Sequence, residues 1–473
     1  MTEYVNVFTR QYTIKKIQYL KIHCAFAKGL FNFRYMQNAD YIIGGNYVLT
    51  MDENLTVIED GAIAIKGNKI IDAGVYSEIH QKYDPEKEIR REGSVILPGL
   101  INTHTHAAMV YFRGIADDMP LKIWLENHIW PAENKWLGPE FIHDAVELAC
   151  LEMLKGGVTT YNDMYFFEDA AAKITKKVGM RGVLGTGILD FPTVSAGTPD
   201  EYLENARRFV DNWKGDELIT PCIAPHAIYS CSTETLKKSR RMAEKFNVPL
   251  HIHLSETKWE TEEVKIKYNK KPVEYLESLG FLDEKVLAAH CIWLDDDEIE
   301  ILAKRRVGVS HCMESNMKLA SGFAPVVTML MAGVKVTFGT DGAASNNDLN
   351  ILSEMSTTAK VHKALSNDPT VLDAKKALLM ATRWGAEVLG LGDETGSLEK
   401  GKLADIVMLD LNKPHLTPVY DVYSHIVYAA MASDIDTVMV NGKFVIDNRK
   451  LLTGDESEIL YKTKKWSEKI KKH

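Results

Sequence analysis

The sequence predicts an α/β protein: a closed (β/α)8 TIM barrel with a small composite β-sandwich domain built from both chain ends. Three observations lead there. Eight β-branched or apolar runs alternate with helical stretches through the middle of the chain, which argues for parallel strands joined by right-handed crossovers. Five of these runs end in histidine and the last in aspartate, at the strand ends where barrels carry their active sites. Hairpin-forming strands before the first run have counterparts after the last. A chain of 473 residues suits this plan, because such barrels take about 250 residues or more as one unit.

Residues 1–35 conform to neither part. They carry Arg10, Lys15, Lys16, Lys21, Lys28 and Arg34 against Glu3 alone, a charge of +5. Lys28 interrupts the apolar stretch and no small-residue cleavage pattern follows, so a targeting leader is the weaker reading. Met36 opens a regular strand pattern, and we expect residues 1–35 to lie upstream of the true start and to be dispensable for chemistry.

Residues 36–94 and 398–450 are expected to form the small β domain. Ala62–Ile71 contains a hairpin signal with Gly67-Asn68 as its turn, and Thr437–Ile446 repeats the design with Asn441-Gly442. Neither piece has residues enough for a core of its own, so the two ends should pack together. Residues 95–397 are assigned to the barrel. Its strands are expected at Val95–His104, Val158–Asp163, Gly182–Ile188, Ile219–His226, Val248–His253, Val286–His290, Val307–His311 and Val334–Asp341. Helical stretches such as Glu140–Lys155, Pro199–Trp213 and Ser232–Phe246 separate them. A charged tail, 451–473, turns helical from about Glu456.

Composition excludes several function classes. Net charge is −9 overall and −14 beyond residue 35, a poor basis for nucleic-acid binding, which depends on neutralising phosphates. No apolar run approaches the roughly 20 residues of a membrane helix. The six cysteines include no Cys-x-x-Cys pair and read as reduced thiols of a cytoplasmic protein. Oligomeric state has no signature, and a homo-oligomer stays open.

The chemistry centres on His104-Thr105-His106. Residues i and i+2 of an extended chain face the same side, so both imidazoles reach one place. His253 and Asp341, from the ends of the fifth and eighth runs, would complete a ligand set of imidazole and carboxylate with a position left for water. Such an ion lowers the pKa of its water from 15.7 to about 7. Glu256, three residues past His253, suits a proton shuttle. His290 can hydrogen-bond the attacking oxygen or the substrate. His226 could serve a second metal, yet Ile219–His226 holds no lysine, aspartate or glutamate to bridge one, so one ion is expected. His251 and His311 read as interior residues, and Asp163 as a supporting one.

The segments Pro98–His106, His253–Glu256, His290 and Gly339–Asn347 together resemble the amidohydrolase superfamily, and within it the methylthioadenosine/S-adenosylhomocysteine deaminase branch. The resemblance spans about residues 38–450. It implies that His104, His106, His253 and Asp341 hold one zinc or iron ion, that Glu256 shuttles protons, and that His290 orients the attacking oxygen. Glu133 matches the branch's ribose-binding glutamate, and His226 its substrate-binding histidine. Ser315–Gly322 also follows the branch, although Cys312-Met313 replaces its usual Asn-Pro. One arginine that receives an amino-acid carboxylate in the branch is replaced by Thr186, and the loop 190–202 offers none.

The implied reaction is hydrolytic deamination of a 5′-modified adenosine to the inosine derivative plus ammonia, with 5′-methylthioadenosine preferred. S-adenosylhomocysteine and adenosine are further candidates. The alternatives are deamination or dechlorination of an aminofutalosine, guanine, pterin or triazine, and, from another class, an inactive scaffolding barrel. Retention of every ligand speaks against the last.

Overall fold

The computed structural model describes residues 36–471, so the expectation for residues 1–35 lies outside it. Four strands open the chain: β1 (Gln37–Leu49), β2 (Val57–Lys66), β3 (Lys69–Val75) and β4 (Tyr83–Pro98). The barrel strands are β5 (Leu100–Thr105), β6 (Val158–Tyr165), β7 (Arg181–Ile188), β8 (Ile219–Pro221), β9 (Ala224–Pro225), β10 (Leu250–Leu254), β11 (Val286–His290), β12 (Gly308–His311) and β13 (Val336–Phe338). Four more close the chain: β14 (Ile406–Asp410), β15 (Ile435–Val440), β16 (Lys443–Asp447) and β17 (Lys450–Leu451).

Both chain ends enter one sheet, ordered β17-β16-β15-β14-β4-β1-β2-β3. The sequence of β2 shows why it has two usable faces. Ile63 and Ile65 join Ile43, Ile96, Ile406 and Met408 in one apolar cluster, while Ala62 and Ala64 pack with Ile42, Ile79 and Tyr83 in another, the alternation expected of a strand buried on both sides. The hairpin turns fall at Gly67-Asn68 and Asn441-Gly442 as expected. The sheet curls until Lys69 of β3 bridges Leu403, just ahead of β14.

The first barrel strand differs from expectation. Val95–Pro98 belong to β4 and pair with Leu409–Ile406 of β14, so the barrel begins only at Leu100. Gly99 makes the crossing, where a Cβ would stand 1.9 Å from Oγ1 of Thr159. The fourth strand is broken into β8 and β9, in keeping with Pro221 and Pro225, which have no N–H to give a ladder.

All barrel pairings are parallel. One arc runs β5-β6-β7-β8 and the other β10-β11-β12-β13. A parallel bridge between Ile223 and Leu250 joins them on one side. On the other, the Asp341 N–H donates to the His104 carbonyl at 3.0 Å and Thr103 Oγ1 donates to the Phe338 carbonyl at 3.0 Å. Helices such as Pro139–Lys155, Pro199–Trp213 and Thr233–Phe246 cover the outside, the last two capped by Thr198 and Ser232 side chains as their sequences suggest. The C-terminal helix Glu456–Lys471 lies on the first of them, where Trp466 Nε1 donates to Asp144 at 3.0 Å. A buried ion pair, Arg181 Nε to Asp405 at 3.1 Å, ties β7 to the segment leading into β14. No helix among the described residues is long and apolar enough to cross a membrane.

Candidate active site

The strand ends converge at the C-terminal mouth of the barrel on a cavity of about 350 Å³. Its floor is built by His106, His253, His290 and Asp341, and Glu133, His226 and Glu256 stand in its walls. His104 lies just beneath, with no exposed surface.

Each imidazole of the cluster is held by its Nδ1. His106 Nδ1 donates to the Met164 carbonyl at 2.6 Å, and His253 Nδ1 donates to the His226 carbonyl at 2.9 Å. With those protons committed, the two rings turn their Nε2 atoms toward each other at 3.3 Å. His104 Nε2, buried and without a hydrogen-bond partner, stands 3.6 Å from Asp341 Oδ1, and His106 Nε2 stands 3.4 Å from the same oxygen. Three nitrogen lone pairs and a carboxylate facing one small space repel unless a cation lies between them, and the donor set is that of zinc-type sites. His104, His106 and Asp341 have ligand atoms within 4.8 Å of one another, as do His104, His253 and His290.

Electrostatics agree with this arrangement. Burial, partly offset by Asp341, brings His104 down to about 4. Burial and the neighbouring histidines hold His253 well below the ordinary range. Asp341 is buried, but the surrounding histidines outweigh that and keep it ionised. Its Oδ2 accepts from Ser315 Oγ at 2.7 Å and its Oδ1 from the Gly342 N–H at 2.7 Å.

Glu256 follows the end of β10, and its backbone is pinned by Glu260, which accepts from the N–H groups of Ser255 and Glu256 at 3.1 and 2.9 Å. Burial raises the Glu256 carboxyl above the usual range, against the pull of His290. His290 Nε2 lies 3.8 Å from Glu256 Oε2, and its Nδ1 donates to Asn316 Oδ1 at 2.9 Å. Burial depresses His290, yet Glu256 and Asp341 outweigh it and the net shift is upward. Ser255, His290 and Asp341 all have φ between 51° and 72°, a left-handed strain that collects at functional strand ends.

Glu133 lies on the helix Trp130–Trp136 after β5 and accepts from Tyr165 Oη at 2.6 Å. Burial pushes it up to about 7. His226 shares its Nδ1 with Ser230 Oγ at 2.8 Å, which leaves Nε2 for a ligand. Burial and nearby imidazoles bring it down to about 3.

Thr186 is not in this cavity. It opens to a separate polar hollow beside Ser195 and Arg208, and Gly187 is the β7 residue that lines the catalytic cavity. His251 is hydrogen-bonded inside the barrel and His311 faces His362, 5.5 Å between ring centroids. Asp163 accepts from Thr105 Oγ1 and the Ala107 N–H, both at 2.8 Å, fixing the turn that carries His106. Sequence reasoning missed Ser315 and Asn316 as the partners of Asp341 and His290; their place in the Ser315–Gly322 segment was the one signal that could have found them.

An imidazole and carboxylate cluster on this face of a (β/α)8 barrel is an arrangement suited to holding a metal ion. The profile of the amidohydrolase family matches residues 95–445, and the chain belongs to that family. It is 55% identical over 433 residues, 91% of this chain and 99% of the relative, to the 5-methylthioadenosine/S-adenosylhomocysteine deaminase of Thermodesulfovibrio yellowstonii. It is 45% identical over 434 residues, 91% and 98% of the two chains, to the 5′-deoxyadenosine deaminase of Methanosarcina acetivorans. Among solved structures, a zinc-bound adenosine deaminase from Xanthomonas campestris is similar with a TM-score of 0.91 at 38% identity, covering 93% of this chain and 100% of that one.

Proposed function

We propose that this enzyme hydrolyses the 6-amino group of 5′-modified adenosines, giving the inosine derivative and ammonia, with one divalent ion, zinc before iron, held by His104, His106, His253 and Asp341. One observation carries the reading: a single cavity brings together that cluster, a Glu256 whose carboxyl burial raises above the usual range and, on its wall, Glu133. The ion supplies an acidified water at neutral pH.

The chain's own groups do the rest. Glu256 takes one proton from the water and delivers it to N1 of the adenine, so that electron density leaves C6 as the new C–O bond forms there. Asp341 accepts the second proton and passes it to the 6-amino nitrogen, which departs as ammonia while C6 becomes a carbonyl. His290, fixed by Asn316, donates toward the oxygen that is gathering charge, the kind of placed donor that lowers such barriers. Glu133 receives ribose hydroxyls, and His226 Nε2 binds the nucleoside beside it.

The 5′ group meets Leu189, Phe191, Pro192 and Val194, and no lysine or arginine lines the cavity among the described residues. Neutral 5′ substituents are therefore favoured over the charged amino-acid end of S-adenosylhomocysteine. We place the reaction in the cytoplasm, in keeping with five described cysteines that are free and buried. Ammonia release by the zinc-loaded protein on 5′-methylthioadenosine, 5′-deoxyadenosine, adenosine and S-adenosylhomocysteine tests this. The first two should give the highest kcat/KM. Failure on all four would redirect the search to free bases and triazines.

A further inference from the structure

We infer that His251 is a positioning residue that sets the affinity of the cluster for its ion by holding the ring of His104. The inference rests on the reading of His104 as a ligand. His251 lies two residues before His253 on β10, buried, and is absent from the cavity lining. Its Nε2 is 2.9 Å from His104 Nδ1 and accepts the proton there, the direction that leaves His104 Nε2 bare for an ion.

The three imidazoles of the cluster are not oriented alike. His106 and His253 are held through Nδ1 by backbone carbonyls, which no side-chain substitution removes. His104 is held by a side chain. Its other ring nitrogen has no hydrogen-bond partner among the described residues and faces the cluster, 3.6 Å from Asp341, so the bond to His251 is the hydrogen bond that fixes the rotation of the ring. The two rings stand nearly perpendicular, at 88° with centroids 4.9 Å apart. Without that bond the His104 lone pair loses its aim, and groups that orient metal-binding histidines in this way typically contribute about 10- to 100-fold to metal affinity.

The test compares zinc dissociation constants, by chelator competition, for the full-length wild type, H251L and H251Q, with circular dichroism to verify folding. H251L should bind zinc about 10- to 100-fold more weakly, whereas H251Q, whose amide can still meet Nδ1, should stay within about fivefold of wild type. Activity per bound zinc should change less than affinity does. Equal affinity in H251L and wild type would overturn the inference, and so would equal losses in H251L and H251Q, which indicate packing alone. If H251L does not fold, the wild type decides: zinc-loaded protein labelled with 15N-histidine should show a coupling between His104 Nδ1 and His251 Nε2 across the hydrogen bond, and its absence overturns the proposal. A wild type that takes up no zinc would instead remove the ligand reading itself.

Discussion

In the proposed mechanism Glu256 passes a proton from the water to a ring nitrogen, and burial beside a histidine, which raises its carboxyl above the usual range, suits it to that exchange. Glu256→Gln should lower kcat by about 10²- to 10⁴-fold while zinc content, measured by atomic absorption, stays at the wild-type level. Glu133 makes a second, pH-dependent prediction. Its pKa is raised to about 7 by burial, so below pH 7 it carries a proton that blunts it as an acceptor for ribose hydroxyls. KM for the nucleoside should therefore fall as pH rises, by about tenfold between pH 6 and 8 if the ionised fraction governs binding. Glu133→Gln should show a high KM without that slope; an unchanged slope would remove Glu133 from the binding site. The residues with ligand chemistry were legible because their side chains carry it: His104, His106, His253 and Asp341 announce themselves at strand ends. Their orienting partners were not. Two are the carbonyls of Met164 and His226, and a carbonyl has no residue identity to read.

At the scale of elements, the mouth of the barrel is crowded where β13 passes into the segment bearing Asp341. A Cβ on Gly339 would sit 2.4 Å from Ser310 Oγ and 2.6 Å from the His104 Cβ. Gly339→Ala should thus destabilise the protein by about 1–3 kcal/mol, as overpacking does, and weaken zinc binding by displacing His104. Denaturant titration and chelator competition measure the two effects, and a neutral result in both would mean that the strand end yields easily. The alternation of strand and helix was plain from period and turn residues, and so were both hairpins. Two features escaped. The apolar run Val95–Leu100 is buried throughout, so nothing in its pattern marks the passage from one sheet to another at Gly99. The facing of Thr186 and Gly187 turns on a one-residue parity, which a broken neighbouring strand leaves undetermined.

Over the whole molecule, buried polar contacts join the barrel to the terminal sheet. Asp405 accepts from Arg181, from Thr395 Oγ1 at 3.0 Å and from the Asn441 N–H at 2.6 Å, all buried. Arg181→Ala strands that carboxylate and should cost about 3–5 kcal/mol, lost in a single cooperative transition when unfolding is followed by both tryptophan fluorescence and far-ultraviolet dichroism. Separate transitions for the two probes would show that sheet and barrel melt independently.

The pairing of β4 with β14 has a consequence for how the enzyme comes into being. Val95–Pro98, which lead directly into the strand bearing His104, meet β1 on one side, where Val95 and Ile96 pair with Tyr47 and Val48, but find their partners on the other side more than 300 residues later, in Ile406–Leu409. Contacts so distant along the chain form late, and a nascent chain is made from its N-terminus. One edge of β4, just ahead of the strand that carries His104, therefore stays unpaired until about the last seventh of the chain is made, and a chain stalled before residue 406 should bind zinc more weakly than the full chain even though every ligand has been synthesised.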